Sequence, residues 1–117
     1  MKILVFTEKP FAPAAVEAIS NVVNASGNDL EVVEKGSRED LLNAVKDANG
    51  LIVRSDVIDD AVMNAAHPGA MVQHCLPAHR GEEITAEVFE AHADEIFDEA
   101  ENRLHAQKAV MYLLMKD

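Results

Sequence analysis

The sequence predicts an α/β fold built on a parallel sheet, and three observations carry that reading. Short β-branched apolar runs alternate with amphipathic stretches of helical period from one end of the chain to the other. Turn and cap residues fall between them rather than inside them. At 117 residues and 49% hydrophobic, the chain is one domain with enough apolar surface for a core of its own. Strict alternation of strand and helix implies parallel strands joined by right-handed crossovers.

Lys2 to Phe6 is the first strand, an apolar run of the kind buried on both faces. Phe11, Ala14, Ala15, Ala18, Ile19, Val22 and Val23 then recur at helical spacing, and Ser26-Gly27-Asn28-Asp29 closes that helix. Leu30 to Glu34 is the second strand, broken by Gly36. Ser37-Arg38-Glu39-Asp40 has the form of a capping box, opening a helix whose apolar face holds Leu41, Leu42 and Val45. Leu51-Ile52-Val53 is the third strand, and Asp56 can cap a short helix carrying Val57, Ile58, Ala61, Val62 and Ala65.

After the breaker His67-Pro68-Gly69, Ala70 to Cys75 reads as a fourth strand. Thr85 can cap a helix with Val88 and Phe89, Glu95 to Asp98 reads as a fifth strand, and a last helix runs from about Ala100 to Leu114. The expectation is therefore a single flavodoxin-like (Rossmann-like) domain over residues 1–117. It is a three-layer α/β/α sandwich on a five-stranded parallel sheet of order 2-1-3-4-5. Ligands of such sheets sit beyond the carboxyl ends of the strands. Thr7-Glu8-Lys9, Arg54-Ser55, His74 to Glu83 and Asp98 to Arg103 fall on that rim.

The charge excludes one class of partner. A net charge of −11 with no basic stripe argues against nucleic acid, whose binding is driven by phosphates neutralised by Lys and Arg. No apolar run reaches the ~18 residues of a membrane helix, and Met1 to Phe6 is too short for a signal peptide. The single cysteine, Cys75, excludes an intrachain disulfide and fits a reducing compartment. The expected location is the cytoplasm.

The rim residues admit several chemistries. Cys75 with His74 and His79 has the residue types of a thiolate nucleophile or a metal site. His74, however, is a strand neighbour pointing to the other face, and the spacing matches no standard metal set. Residue types alone favour a small apolar thiol ending a buried strand. Arg54-Ser55 follows the third strand, where an Arg faces either an anionic ligand or a nearby carboxylate such as Asp56 or Glu8. Acidic residues at the start of the last helix complement its dipole, whereas Arg103 does not, which marks it as an anion-ligand candidate. No glycine-rich phosphate loop is present in the sequence, so no nucleotide or other cofactor is expected, and no metal.

Two resemblances enter here. His74-Cys75-Leu76-Pro77-Ala78-His79-Arg80-Gly81-Glu82-Glu83 resembles the ornithine carbamoyltransferase motif. Phe97-Asp98-Glu99-Ala100-Glu101-Asn102-Arg103-Leu104-His105-Ala106-Gln107-Lys108-Ala109 resembles the C-terminal signature of that family. Lys2 to Phe11 and Gly50-Leu51-Ile52-Val53-Arg54-Ser55 instead resemble the substrate-domain half of D-3-phosphoglycerate dehydrogenases. Together they imply an engineered chimera, joined near residues 61–68. The carbamoyltransferase resemblance implies that Cys75 and Leu76 lie on the ornithine side and Arg103 on the carbamoyl phosphate side. The dehydrogenase resemblance implies that Arg54 and Ser55 lie near substrate.

The carbamoyltransferase family also uses a Ser-Thr-Arg-Thr phosphate loop, a His-Pro-x-Gln segment and a Ser-Met-Gly segment, and this sequence has none of them. The resemblance thus implies vestigial ligand groups without catalysis: a folded scaffold or, alternatively, a weak binding module for anions or amino acids using Arg54, Arg80 and Arg103. No partner is required, but the apolar face of the last helix (Leu104, Val110, Leu113, Leu114) makes self-association an expectation.

Overall fold

The computed structural model describes residues 1–116, so the last residue of the expected 1–117 domain lies outside it. Strand β1 (Lys2–Thr7) is central, with β2 (Asp29–Glu34) on one side and β3 (Gly50–Arg54) on the other, all parallel. Val5 is paired with both Val32 and Ile52 across the sheet. Helix α1 (Pro13–Ala25) joins β1 to β2, with proline in its first turn, where a missing N–H costs nothing. Helix α2 (Arg38–Ala44) and a 3₁₀ turn (Val45–Asp47) join β2 to β3. One crossover runs outward to β2 and the other returns past β1, so right-handed connections put α1 and α2 on opposite faces.

Local chemistry accounts for these elements. Ser37 and Asp40 form the reciprocal capping box that opens α2. Asp59 caps α3 (Asp60–Ala65) by accepting from the Val62 N–H, and it is also ion-paired to Arg38, which ties α3 to α2. Alternation along β1 sends Leu4 and Phe6 into one face, where they meet Leu41, Val45 and Val62 as the main core. Gly36 is required beside it, because a Cβ there would stand 2.5 Å from the Phe6 ring.

The second half departs from the expected five-stranded order 2-1-3-4-5: among the described residues the sheet has three strands, in the order β2-β1-β3. Ala70 to Cys75 is not a fourth strand. Its side chains do alternate strictly between half-buried and exposed, as in a strand. Its backbone donors go elsewhere: the Ala70 N–H donates to the His67 carbonyl at 2.9 Å, and the Val72 N–H to Glu95 Oε2 at 2.9 Å. A groove of about 380 Å³ separates the segment from β3, with Leu51 and Val53 on one wall and Ala70 and Val72 on the other.

Glu95 to Asp98 is not a fifth strand either, but the first turns of a 23-residue helix, α5 (Ala93–Met115), which begins well before Ala100. Ile96 is fully buried there, packed with Ile84, Val88 and Phe89 of the loop and of α4 (Ala86–Ala91) in a second core cluster. The helical period puts Ile96 inward and Phe97 outward, and that outcome overrides the strand-like composition of a four-residue run. No helix among the described residues is long and apolar enough to cross a membrane.

Candidate functional site

The loop from His74 to Glu83 is organised by one carboxylate. Glu83 Oε1 accepts from the His74 ring Nε2 at 3.0 Å and from the His79 backbone N–H at 2.9 Å. The His79 N–H, foremost, and the His74 ring hold the Glu83 carboxyl below its ordinary range against an opposing effect of burial. Because His74 Nδ1 accepts from Leu76, its Nε2 carries the proton in the neutral ring and donates to Glu83. The Glu83 carbonyl in turn accepts from the Ile58 N–H, and the Thr85 N–H donates to the Ile58 carbonyl. The loop is thereby pinned to the chain that leaves β3.

Helix α5 supports the same loop from the other side. Glu95 accepts from Val72 and from His92 Nδ1, and these bonds lower its carboxyl. Arg103 Nη1 donates to the Cys75 carbonyl at 2.7 Å. Cys75, Leu76 and Arg103 are therefore brought together. The Cys75 thiol is exposed, which corrects the reading of it as a thiol ending a buried strand. Leu76 points inward against the second core cluster, so it is the Leu76 backbone that faces the loop's polar groups.

Arg54 and Ser55 occupy a different place, at the carboxyl end of β3. The Arg54 guanidinium donates to the Pro10 carbonyl at 3.2 Å and lies over the Phe11 ring at 5.9 Å, rather than pairing with Asp56 or Glu8. Asp56 instead accepts from the Glu8 N–H, and burial raises its carboxyl. Ser55 (φ 67°) and Leu76 (φ 48°) both hold left-handed backbone, a conformation costing on the order of 1–2 kcal/mol for a side-chain-bearing residue. Arg80, the third cation of the rim, is bound to Glu90 at 2.7 Å and stacked 4.0 Å over Phe89.

The structure thus adds Glu83 and Glu95 to the residues that shape the site. Neither is marked by periodicity; Glu83 is carried only as the last residue of the motif that begins at His74, and Glu95 only by its spacing from His92. Among the described residues, no three His, Cys, Asp or Glu side chains cluster closely enough to hold a metal ion. What the arrangement offers chemically is an exposed thiol, a strained backbone and three guanidinium groups, each already donating within the chain.

The family model for the Asp/Orn binding domain of aspartate/ornithine carbamoyltransferase matches residues 46–114. The ornithine carbamoyltransferase of a Nitratiruptor species is 50% identical over 82 residues, which is 70% of this chain and 25% of that protein. Among solved structures, the anabolic ornithine carbamoyltransferase from Campylobacter jejuni superposes with a TM-score of 0.75 at 30% identity, over 97% of this chain and 43% of that one. The NAD+-bound 3-phosphoglycerate dehydrogenase of Entamoeba histolytica superposes with a TM-score of 0.64 at 34% identity, over 79% of this chain and 30% of that one. Relatives of both families are thus found, and the chain spans only a quarter to under half of their length.

Proposed function

Because this chain belongs to the aspartate/ornithine carbamoyltransferase family through its Asp/Orn binding domain, we propose that it is a folded scaffold that keeps the ornithine-side loop of that domain without its catalysis. One observation carries the reading. Arg54, Arg80 and Arg103 are each engaged inside the chain, to the Pro10 carbonyl, the Glu90 carboxylate and the Cys75 carbonyl. Transfer of a carbamoyl group needs cations preorganised on the phosphate it leaves, since oriented charge is the main stabiliser of such transition states. A guanidinium held on another group of its own chain is not preorganised on a phosphate.

The likeness to a dehydrogenase as well as to carbamoyltransferases supports a chimeric origin; our reading is an engineered single domain joined near residues 61–68. Citrulline formation from carbamoyl phosphate and ornithine tests the scaffold reading. Turnover no greater than in a no-protein control is the expected result, and turnover above it that rises with protein concentration sinks the reading.

A second reading rests on the convergence of Cys75, Leu76 and Arg103 at one loop. Arg103 reaches only a carbonyl there, and an anion offered to it would compete with a neutral acceptor. In that case the chain is a weak binding module for anions or amino acids.

A further inference from the structure

From Glu101 to Lys116 every residue of α5 and its end is exposed, and Ala109 to Met115 is an uncharged apolar run. A helix segment that is apolar all round is a buried helix in a finished structure. The exposed residues carry an order. Phe97, Glu101, Leu104, Lys108, Met111 and Met115 recur at spacings of 4, 3, 4, 3 and 4, the spacing of a coiled-coil stripe, with four apolar positions and the charged pair Glu101 and Lys108. Phe97 is 54% exposed, Leu104 59%, Met111 53% and Met115 79%, so the whole stripe stands open.

Charge decides what covers it. The acidic residues of α5 all precede Asn102, whereas Arg103, Lys108 and Lys116 follow it with no acid among them. A parallel pair of these helices would set Glu101 against Glu101 and Lys108 against Lys108. An antiparallel pair sets the acidic half of each against the basic half of the other and opposes the two helix dipoles.

We propose that a second copy of this chain covers the helix, in an antiparallel α5–α5 pair. In it Phe97 layers on the partner's Met115, Glu101 on the partner's Met111 and Leu104 on the partner's Lys108. These three layers repeat through the two-fold axis, and Glu101 and the partner's Lys108 fall in adjoining layers, where they pair. The contact is isologous and closes on itself as a dimer.

Light scattering of the full chain at about 100 μM is expected to give twice the 12.7 kDa chain mass. Lys108→Glu puts two acids in adjoining layers and is expected to weaken the dimer about tenfold or more. Adding Glu101→Lys to it restores the affinity. Both positions are exposed, so circular dichroism should stay unchanged and a folding defect is distinguishable. In a Cys75→Ser background, Phe97→Cys with Met115→Cys is expected to link the dimer under mild oxidation, and Met115→Cys alone is not. A monomer at that concentration, a dimer indifferent to Lys108→Glu, or linkage through Met115→Cys alone would each overturn the proposal.

Discussion

Arg103 reaches back from α5 to donate a hydrogen bond of 2.7 Å to the carbonyl of Cys75. That contact joins the two segments with the clearest family resemblance, and it does so by engaging the cation on the chain's own backbone. With Glu95 on the Val72 N–H, it makes α5 a brace for the loop. The site is therefore held in shape by the groups that a ligand would otherwise engage.

Arg103→Ala should loosen this brace without unfolding the domain. The lost bond is charge-assisted but exposed, so the expected cost is about 1 kcal/mol, read as a lower urea midpoint at unchanged slope. A midpoint equal to that of the unsubstituted chain would mean that the contact contributes nothing.

Glu83 and Glu95 make stability fall in acid. Both carboxyls are held below the ordinary value of 4.5 in the folded chain. A depressed folded-state pKa contributes stability that is present above the unfolded value and lost as pH falls through the folded one. Unfolding midpoints should therefore be flat near neutrality and drop below about pH 4.5. Glu83→Gln should destabilise at pH 7 and less so at pH 4, and an equal loss at both would contradict the assignment.

Ile96 separates the helix from the strand that composition suggests. It is fully buried against Ile84, Val88 and Phe89, so Ile96→Ala should cost about 2–5 kcal/mol. Leu113, at 60% exposure on the same helix, should lose no more than about 0.5 kcal/mol on truncation to Ala. Similar losses at the two positions would place the core elsewhere.

Cys75 carries an exposed free thiol, so a disulfide-exchange reagent should label it fully in the folded chain, with no dependence on low urea. Labelling that waits for unfolding would return the thiol to the interior.

The first half of the fold was legible because each of its signals is local. The Ser37/Asp40 capping box, the apolar run of β1 and the breaker at Gly36 act within a few residues, and the structure has each as read. The second half was not, because its outcome depends on partners distant in sequence. Ala70 to Cys75 has the alternation of a strand, but a strand is made by its ladder, and here Glu95 takes the Val72 N–H. Glu95 to Asp98 is too short for composition to separate strand from helix, and Ile96 packing on Val88 and Phe89 decides it. For the site, the motif located Cys75, Leu76 and Arg103, but Glu83 acts through loop geometry that no spacing rule reports.

Each rim cation is already committed to a contact within the chain: Arg54 to the Pro10 carbonyl, Arg80 to Glu90 and Arg103 to the Cys75 carbonyl. Isothermal titration with carbamoyl phosphate tests this most directly. No saturable heat is expected up to about millimolar ligand, the range in which binding is worth only about 4 kcal/mol. Heat that saturates below that concentration and disappears in Arg103→Ala would contradict it.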